Sequence, residues 1–179
     1  MHILIKSKKE YIKSLIRVNH AGEYGAKRIY EGQLKALSRK SNHDVISKIQ
    51  HMKEQELTHL NYFEDLMIKN GARPSIFHNI WHIGAFGIGF VSAFLGKNTA
   101  MACTSAVEEV IDEHYQEQIK ILKSIDKNEI ADTIEKFRLE ELEHKKIGDS
   151  YSATGLAQIG MKMVTRFITK TAILISKRV

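Results

Sequence analysis

Glu56-Leu57-Thr58-His59 and Glu141-Leu142-Glu143-His144 are one four-residue pattern, Glu-x-x-His, occurring twice in a chain of 179 residues. Residues three apart on a helix project side by side, so each copy offers a carboxylate and an imidazole to one point. Glu23 lies 33 residues before Glu56, and Glu108 lies 33 residues before Glu141. The chain therefore carries the same plan twice, a lone glutamate on one helix and Glu-x-x-His on the next.

The surrounding periodicity makes these helices. Ile12, Ile16, Asn19, Glu23, Ala26, Tyr30, Leu34 and Leu37 share one face of a helix over Tyr11–Arg39, and Ile49, Met52, Glu56, His59, Phe63 and Leu66 share one face of a second. Ser41-Asn42-His43-Asp44 between them offers N-cap chemistry. Asn70-Gly71 ends the second helix, and Arg73-Pro74 prevents continuation. A third helix starts at Asn98 with Met101, Thr104, Glu108, Ile111, Tyr115, Ile119 and Leu122 on its stripe. After a break at Asp126–Asn128, a fourth carries Ile130, Ile134, Phe137, Glu141, His144, Gly148 and Tyr151.

Four acids on apolar stripes pose an electrostatic problem. A buried carboxylate without a partner costs several kcal/mol or stays protonated, and four would repel one another. No Lys or Arg shares these stripes. Two divalent cations resolve the conflict, because four carboxylates balance their charge. The ligand set is then Glu23, Glu56, His59, Glu108, Glu141 and His144, the di-iron or di-manganese carboxylate arrangement of four-helix bundles. Oxygen-rich ligands with imidazole favour iron or manganese over structural zinc. Glu109 adjoins Glu108, but spacing and stripe favour Glu108, and Glu143 lies on another face from Glu141. His20, three residues before Glu23, either supports the metal region from outside the ligand set or is a buried histidine bonded to a backbone carbonyl. His2, His43 and His51 stand in no motif and are expected at the surface, whereas Cys103 reads as a buried core thiol.

The flanking segments add two helices to the bundle. Residues 74–96 carry no formal charge, and the centre, Ile83–Leu95, is strongly apolar though broken by Gly84, Gly87 and Gly89. That core is shorter than the ~20 residues a membrane span needs, so it reads as a buried or membrane-dipping helix over 76–95. His78, Trp81 and His82 then only decorate its surface. Ala157–Ser176 is amphipathic, with Met163, Val164, Phe167, Ile168, Leu174 and Ile175 on one side and Lys162, Arg166 and Lys170 on the other. This is the pattern of an interfacial anchor, or of a surface helix packed on the bundle.

Composition agrees with a single all-α domain over residues 1–179. One Pro leaves long stretches free to be helix, and one Cys excludes a disulfide scaffold, a CxxC pair and any all-cysteine metal site. The formal charge of +6 is concentrated at the ends, with Lys6, Lys8, Lys9, Lys13 and Arg17 at one and Lys162, Arg166, Lys170, Lys177 and Arg178 at the other. Basic ends suit an anionic membrane surface or nucleic acid. No helix-turn-helix, zinc finger or RNA-binding aromatic motif accompanies them, so nucleic acid is not expected and peripheral membrane association is. No secretory signal or long organellar transit peptide is legible. The glycine fingerprint of a dinucleotide site is missing too, so no stably bound NAD or flavin is expected.

Arg17-Val18-Asn19-His20-Ala21-Gly22-Glu23-Tyr24-Gly25-Ala26 resembles the first-helix motif of the demethoxyubiquinone hydroxylases of ubiquinone biosynthesis. The resemblance continues in Glu54-Gln55-Glu56-Leu57-Thr58-His59, in Ala102-Cys103-Thr104-Ser105-Ala106-Val107-Glu108-Glu109 and in Glu140-Glu141-Leu142-Glu143-His144, spanning about residues 11–178. It implies a ferritin-like di-iron monooxygenase that hydroxylates the ring of a demethoxyubiquinol with dioxygen. By that resemblance one iron takes Glu23 and His59, the other takes Glu108 and His144, and Glu56 and Glu141 bridge. His114 and Tyr115 match residues that the family keeps near its metal pocket. The resemblance also implies a prenylated quinol substrate, an external electron donor and a site at the cytoplasmic or mitochondrial-matrix face of a membrane. The associates expected are a lipid-binding protein or further copies of the chain. Ferritin-like iron storage or peroxide scavenging would use the same ligands. The charge-free 74–96 segment disfavours storage, and the single cysteine disfavours a Cys-rich peroxide-reducing module.

Overall fold

The structure, a computed structural model, describes residues 5–38, 42–151 and 155–178. Six helices build it: α1 (Ile5–Leu37), α2 (His43–Asn70), α3 (His78–Phe94), α4 (Lys97–Ser124), α5 (Asn128–Ser150) and α6 (Leu156–Ser176). No strand occurs among the described residues. The expected all-α bundle with two additional helices is the observed architecture.

Local chemistry sets the breaks. Gly71 adopts φ 60°, and its N–H and that of Ala72 bond back to Ile68 and Met67, a closure that needs a residue tolerant of left-handed backbone. Gly96, at φ 122°, turns the chain from α3 into α4. The first helix begins at Ile5, earlier than the apolar stripe suggested. The expected N-cap at 41–44 is not made: Ser41 lies outside the described residues, Asn42 makes no side-chain cap, and Asp44 instead accepts from Lys48 and Tyr151. His43 and His51 are exposed as expected, and His2 lies outside the described residues.

The hairpins α1–α2 and α4–α5 form the central bundle. Ile16, Phe63, Cys103, Leu122 and Ile134 fill one cluster of its core, and Tyr30, Leu37, Ile49, Met52 and Met101 fill another. Each large apolar side chain buried this way contributes roughly 1.5–3 kcal/mol. Helix α3 lies against α1, and α6 against α4. A Cβ on Gly32 would collide with the Phe86 carbonyl, and one on Gly89 with the Ile29 carbonyl, so α1 and α3 approach backbone to backbone.

The structure decides between the readings left open for the added helices: α6 packs on the bundle, and the buried reading of α3 fails. Helix α3 is not buried: Gly89, Ser92 and Ala93 are its only buried residues, while Ile80, Ile83, Val91 and Phe94 face outward. No helix among the described residues is long and apolar enough to cross a membrane. On α6 the basic side turns toward the bundle, pairing Lys162 with Asp149, Arg166 with Glu109 and Lys170 with Glu113. Met163, Val164 and Phe167 are left exposed. Acids on α4 and α5 attract the cationic stripe, which an isolated helix would send to solvent.

Candidate metal centre

The six acids and histidines of the paired motifs converge between α1, α2, α4 and α5, each 1% exposed or less. Ligand atoms of Glu23, Glu56, His59 and Glu141 lie within 4.8 Å of one another, and so do those of Glu56, Glu108, Glu141 and His144. The two groups share Glu56 and Glu141. Each group could hold one cation.

The donor set itself tests the fit. Glu23 Oε2, both carboxylate oxygens of Glu56, His59 Nδ1, Glu108 Oε2 and Glu141 Oε1 are buried and make no hydrogen bond. Polar atoms shut away from water without partners are costly, and these unbonded atoms belong to residues of a single cluster. His59 Nδ1 faces Glu141 Oε1 at 3.1 Å and Glu23 Oε2 at 3.5 Å, while His144 Nδ1 faces Glu141 Oε2 at 3.0 Å and Glu56 Oε1 at 3.3 Å. Burial, reinforced by the neighbouring carboxylates, pushes Glu56 and Glu108 well above the ordinary carboxylate range. Glu141 feels the same burial, but the hydrogen bond from His144 and the facing His59 imidazole overcome it and hold this acid at about 2. In His59 burial opposes the charge, yet Glu141 and Glu23 carry the imidazole up to about 11. Such a set of donors, with no Lys or Arg paired to it among the described residues, suits divalent cations.

Contacts behind the donors cross between the hairpins. Tyr115 of α4 donates to Glu23 of α1, and Tyr30 of α1 donates to Glu108 of α4 at 2.7 Å. Glu140 of α5 sits 2.7 Å from Nε2 of His59, whereas Gln55 of α2 accepts at 2.9 Å from Nε2 of His144. These outer bonds turn both Nδ1 atoms into the cluster. Sequence reasoning assigned no role to Tyr30, Gln55 or Glu140. The latter two directly precede the motif glutamates, the one local signal that could have marked them.

The remaining sequence candidates separate clearly. Glu109 and Glu143 lie outside the cluster, the first paired with Arg166 and the second exposed. His20 is buried, but its ring approaches Glu64 at 3.8 Å and stacks with Tyr24 and His78. Cys103 is a buried thiol, raised to about 11 by burial. His114 receives a hydrogen bond from Gln118, whose amide also pairs with Asn19, and burial lowers its imidazole to about 4.

An apolar cavity of about 400 Å³ opens beside the centre, walled by α1, α3, α4 and α6. Gly22, Gly25 and Gly84 leave room along it, Ile111 and Ile173 close its sides, and Trp81 forms part of its wall rather than decorating a surface. His78 and His82 do not line it; they gather around Tyr24. A smaller pocket shares Val18, Gly22, Ile111 and Ile173 with the large one and adds Asn19, Glu23, His114 and Tyr115. Four wall residues of the apolar space thus also border the pocket at Glu23, the acid at the edge of the metal cluster.

Residues 10–176 match the family described as ubiquinone biosynthesis protein COQ7. The chain is 44% identical to the NADPH-dependent 3-demethoxyubiquinone 3-hydroxylase, mitochondrial, of Dictyostelium discoideum, over 97% of this chain and 80% of that one. It is 43% identical to the human protein of the same name, over 93% and 77% of the two chains. The 3-demethoxyubiquinol 3-hydroxylase of Rhodospirillum rubrum is 44% identical, over 76% of this chain and 63% of its own.

Proposed function

This chain belongs to the family of ubiquinone biosynthesis protein COQ7, and from that membership we propose how its residues act. It is a hydroxylase of the demethoxyubiquinone ring in ubiquinone biosynthesis, with a quinol and dioxygen as substrates. The observation that carries the reading is an apolar cavity whose wall residues Val18, Gly22, Ile111 and Ile173 also line a small pocket at Glu23 of the metal cluster. A prenylated ring needs an apolar berth for its tail and polar groups at one end for its head, and the two adjacent pockets offer both.

Two irons would be held here, one by Glu23 and His59 and the other by Glu108 and His144, with Glu56 and Glu141 available to both. When bound, the iron pair supplies the activation of dioxygen that a protein side chain cannot perform. The chain supplies the rest. Glycines 22, 25 and 84 leave width for the isoprenoid tail, and Trp81, Ile111 and Ile173 exclude water from it. Asn19 and Gln118 fix the His114 imidazole, kept neutral by burial, so that Nε2 accepts from Gln118 and the remaining Nδ1–H can donate a hydrogen bond to a quinol oxygen. Tyr115 holds Glu23 against the same pocket. One oxygen atom enters the ring, and two electrons with two protons carry the other to water. NADPH, which the names of the mitochondrial relatives specify, is the external source of those electrons.

Outward-facing Ile80, Ile83 and Phe94 of α3 and Met163 and Phe167 of α6 support attachment to a membrane surface, from which a long-tailed quinol would enter. Flotation with liposomes tests this attachment.

The deciding experiment is a single turnover of the anaerobically iron-loaded, reduced protein with a short-tailed demethoxyquinol under labelled dioxygen. Two irons per chain and one labelled oxygen in the ring are expected. Rapid oxidation of the iron with no labelled product would overturn this reading in favour of iron handling.

A further inference from the structure

Advancing the α1–α2 hairpin by 85 positions lays it on α4–α5: Glu23 falls on Glu108, Glu56 on Glu141, His59 on His144, Tyr30 on Tyr115 and Gln33 on Gln118. The polar contacts obey the same relation. Tyr115 on Glu23 mirrors Tyr30 on Glu108, and Gln118 with Asn19 mirrors Gln33 with Thr104. The acceptor behind each imidazole is conserved in place but not in charge. Glu140 stands behind His59, and its counterpart Gln55 stands behind His144.

We propose that this break makes the two cation positions inequivalent, with Glu140 a positioning residue that gives the Glu23–His59 position the tighter hold and the first cation. The inference rests on the two-metal reading above. Both acceptors orient their ring with Nδ1 toward the cluster, so orientation alone does not distinguish the positions. A carboxylate draws the Nε2 proton more strongly than an amide oxygen does, and that makes Nδ1 the better donor. It also adds a negative charge on one side of the centre only. The tyrosine contacts on Glu23 and Glu108 correspond, so they do not offset the difference. Glu23 also lines the small pocket, which places the favoured position at the substrate side.

Glu140→Gln keeps an acceptor of the same shape and removes only the charge, so a purely structural role would leave metal binding unmoved. Metal-free protein is titrated without oxygen with cobalt(II), followed by calorimetry and by the strongly shifted Nε2–H proton resonances of cobalt-bound histidines. One equivalent is expected to shift the His59 resonance, assigned by its loss in His59→Gln. Glu140→Gln is expected to weaken the first step by about 10–100-fold and leave the second unchanged. Gln55→Glu should tighten the second step, and the two changes together should reverse the order of filling. Random filling in the unaltered protein, or a first step indifferent to Glu140→Gln, would overturn the inequivalence while the two-metal reading stood. Absence of cobalt binding would overturn both.

Discussion

Arg166 of α6 donates through Nε to Glu109 of α4 at 3.0 Å, so the adjacent acids Glu108 and Glu109 serve different faces of one helix. Glu108→Ala is expected to abolish stoichiometric loading of two cations. Glu109→Ala should keep both cations and speed amide exchange along α6. Metal analysis with hydrogen exchange reads the two effects separately. Glu141→Ala and exposed Glu143→Ala should divide in the same way on α5, and equal metal loss in the two would contradict the assignment.

Tyr30 and Tyr115 each satisfy a carboxylate that has no other hydrogen bond. Replacing either by Phe leaves that acid wholly unbonded in the metal-free protein. A loss of about 1–3 kcal/mol in metal-free stability is expected from such a buried orphan. Urea unfolding should show a smaller loss once cations occupy the centre.

The metal-free protein should become less stable as pH rises. Glu56 and Glu108 have folded-state values raised above 4.5, so their contribution is full below that point and is lost as pH climbs through the folded values. His59, raised from 6.5 to about 11, loses its contribution over that interval in the same direction. Glu141, held at about 2, contributes throughout and weakens only in strong acid. His114, lowered to about 4, and His20, also lowered, act in the opposite direction up to about pH 6.5, so the slopes share one sign only above that point. Urea midpoints in chelator should fall between about pH 7 and pH 9, while cation affinity should rise because ligation requires deprotonated donors. A flat chelator profile would contradict this account.

Gly22 faces open space where the two pockets join, so a larger residue there fits without forcing the helices apart. Gly22→Val should fold with little change in melting temperature yet lose binding of a short-tailed quinone. Trp81 is the only tryptophan and lines the cavity, so quenching of its fluorescence reports occupancy even in metal-free protein. Gly32→Ala is the contrasting change. It thrusts a methyl into the Phe86 carbonyl and should destabilise by about 1–3 kcal/mol through forced separation of α1 and α3.

Much of this was legible beforehand because helical order is local. A period of 3.6 residues placed Glu23, Glu56, His59, Glu108, Glu141 and His144 on inward stripes, and all six are buried in one cluster. Asn70-Gly71 and Pro74 marked a real helix end. The exposed α3, the inward basic side of α6 and the place of Trp81 were not legible. Each depends on what another helix presents, such as Glu109 and Glu113 to Arg166 and Lys170.

The sequence by itself determined the six helices' approximate course, the inward donors and the doubled plan, since spacing along one helix decides which residues share its face. Only the tertiary structure decided which hairpin supports which donor. Glu140 reaches His59 across 81 positions of sequence, and Tyr115 reaches Glu23 across 92. Such pairs depend on how helices rotate and cross when their side chains interlock, and that is a property of the packed bundle rather than of any one period along the chain.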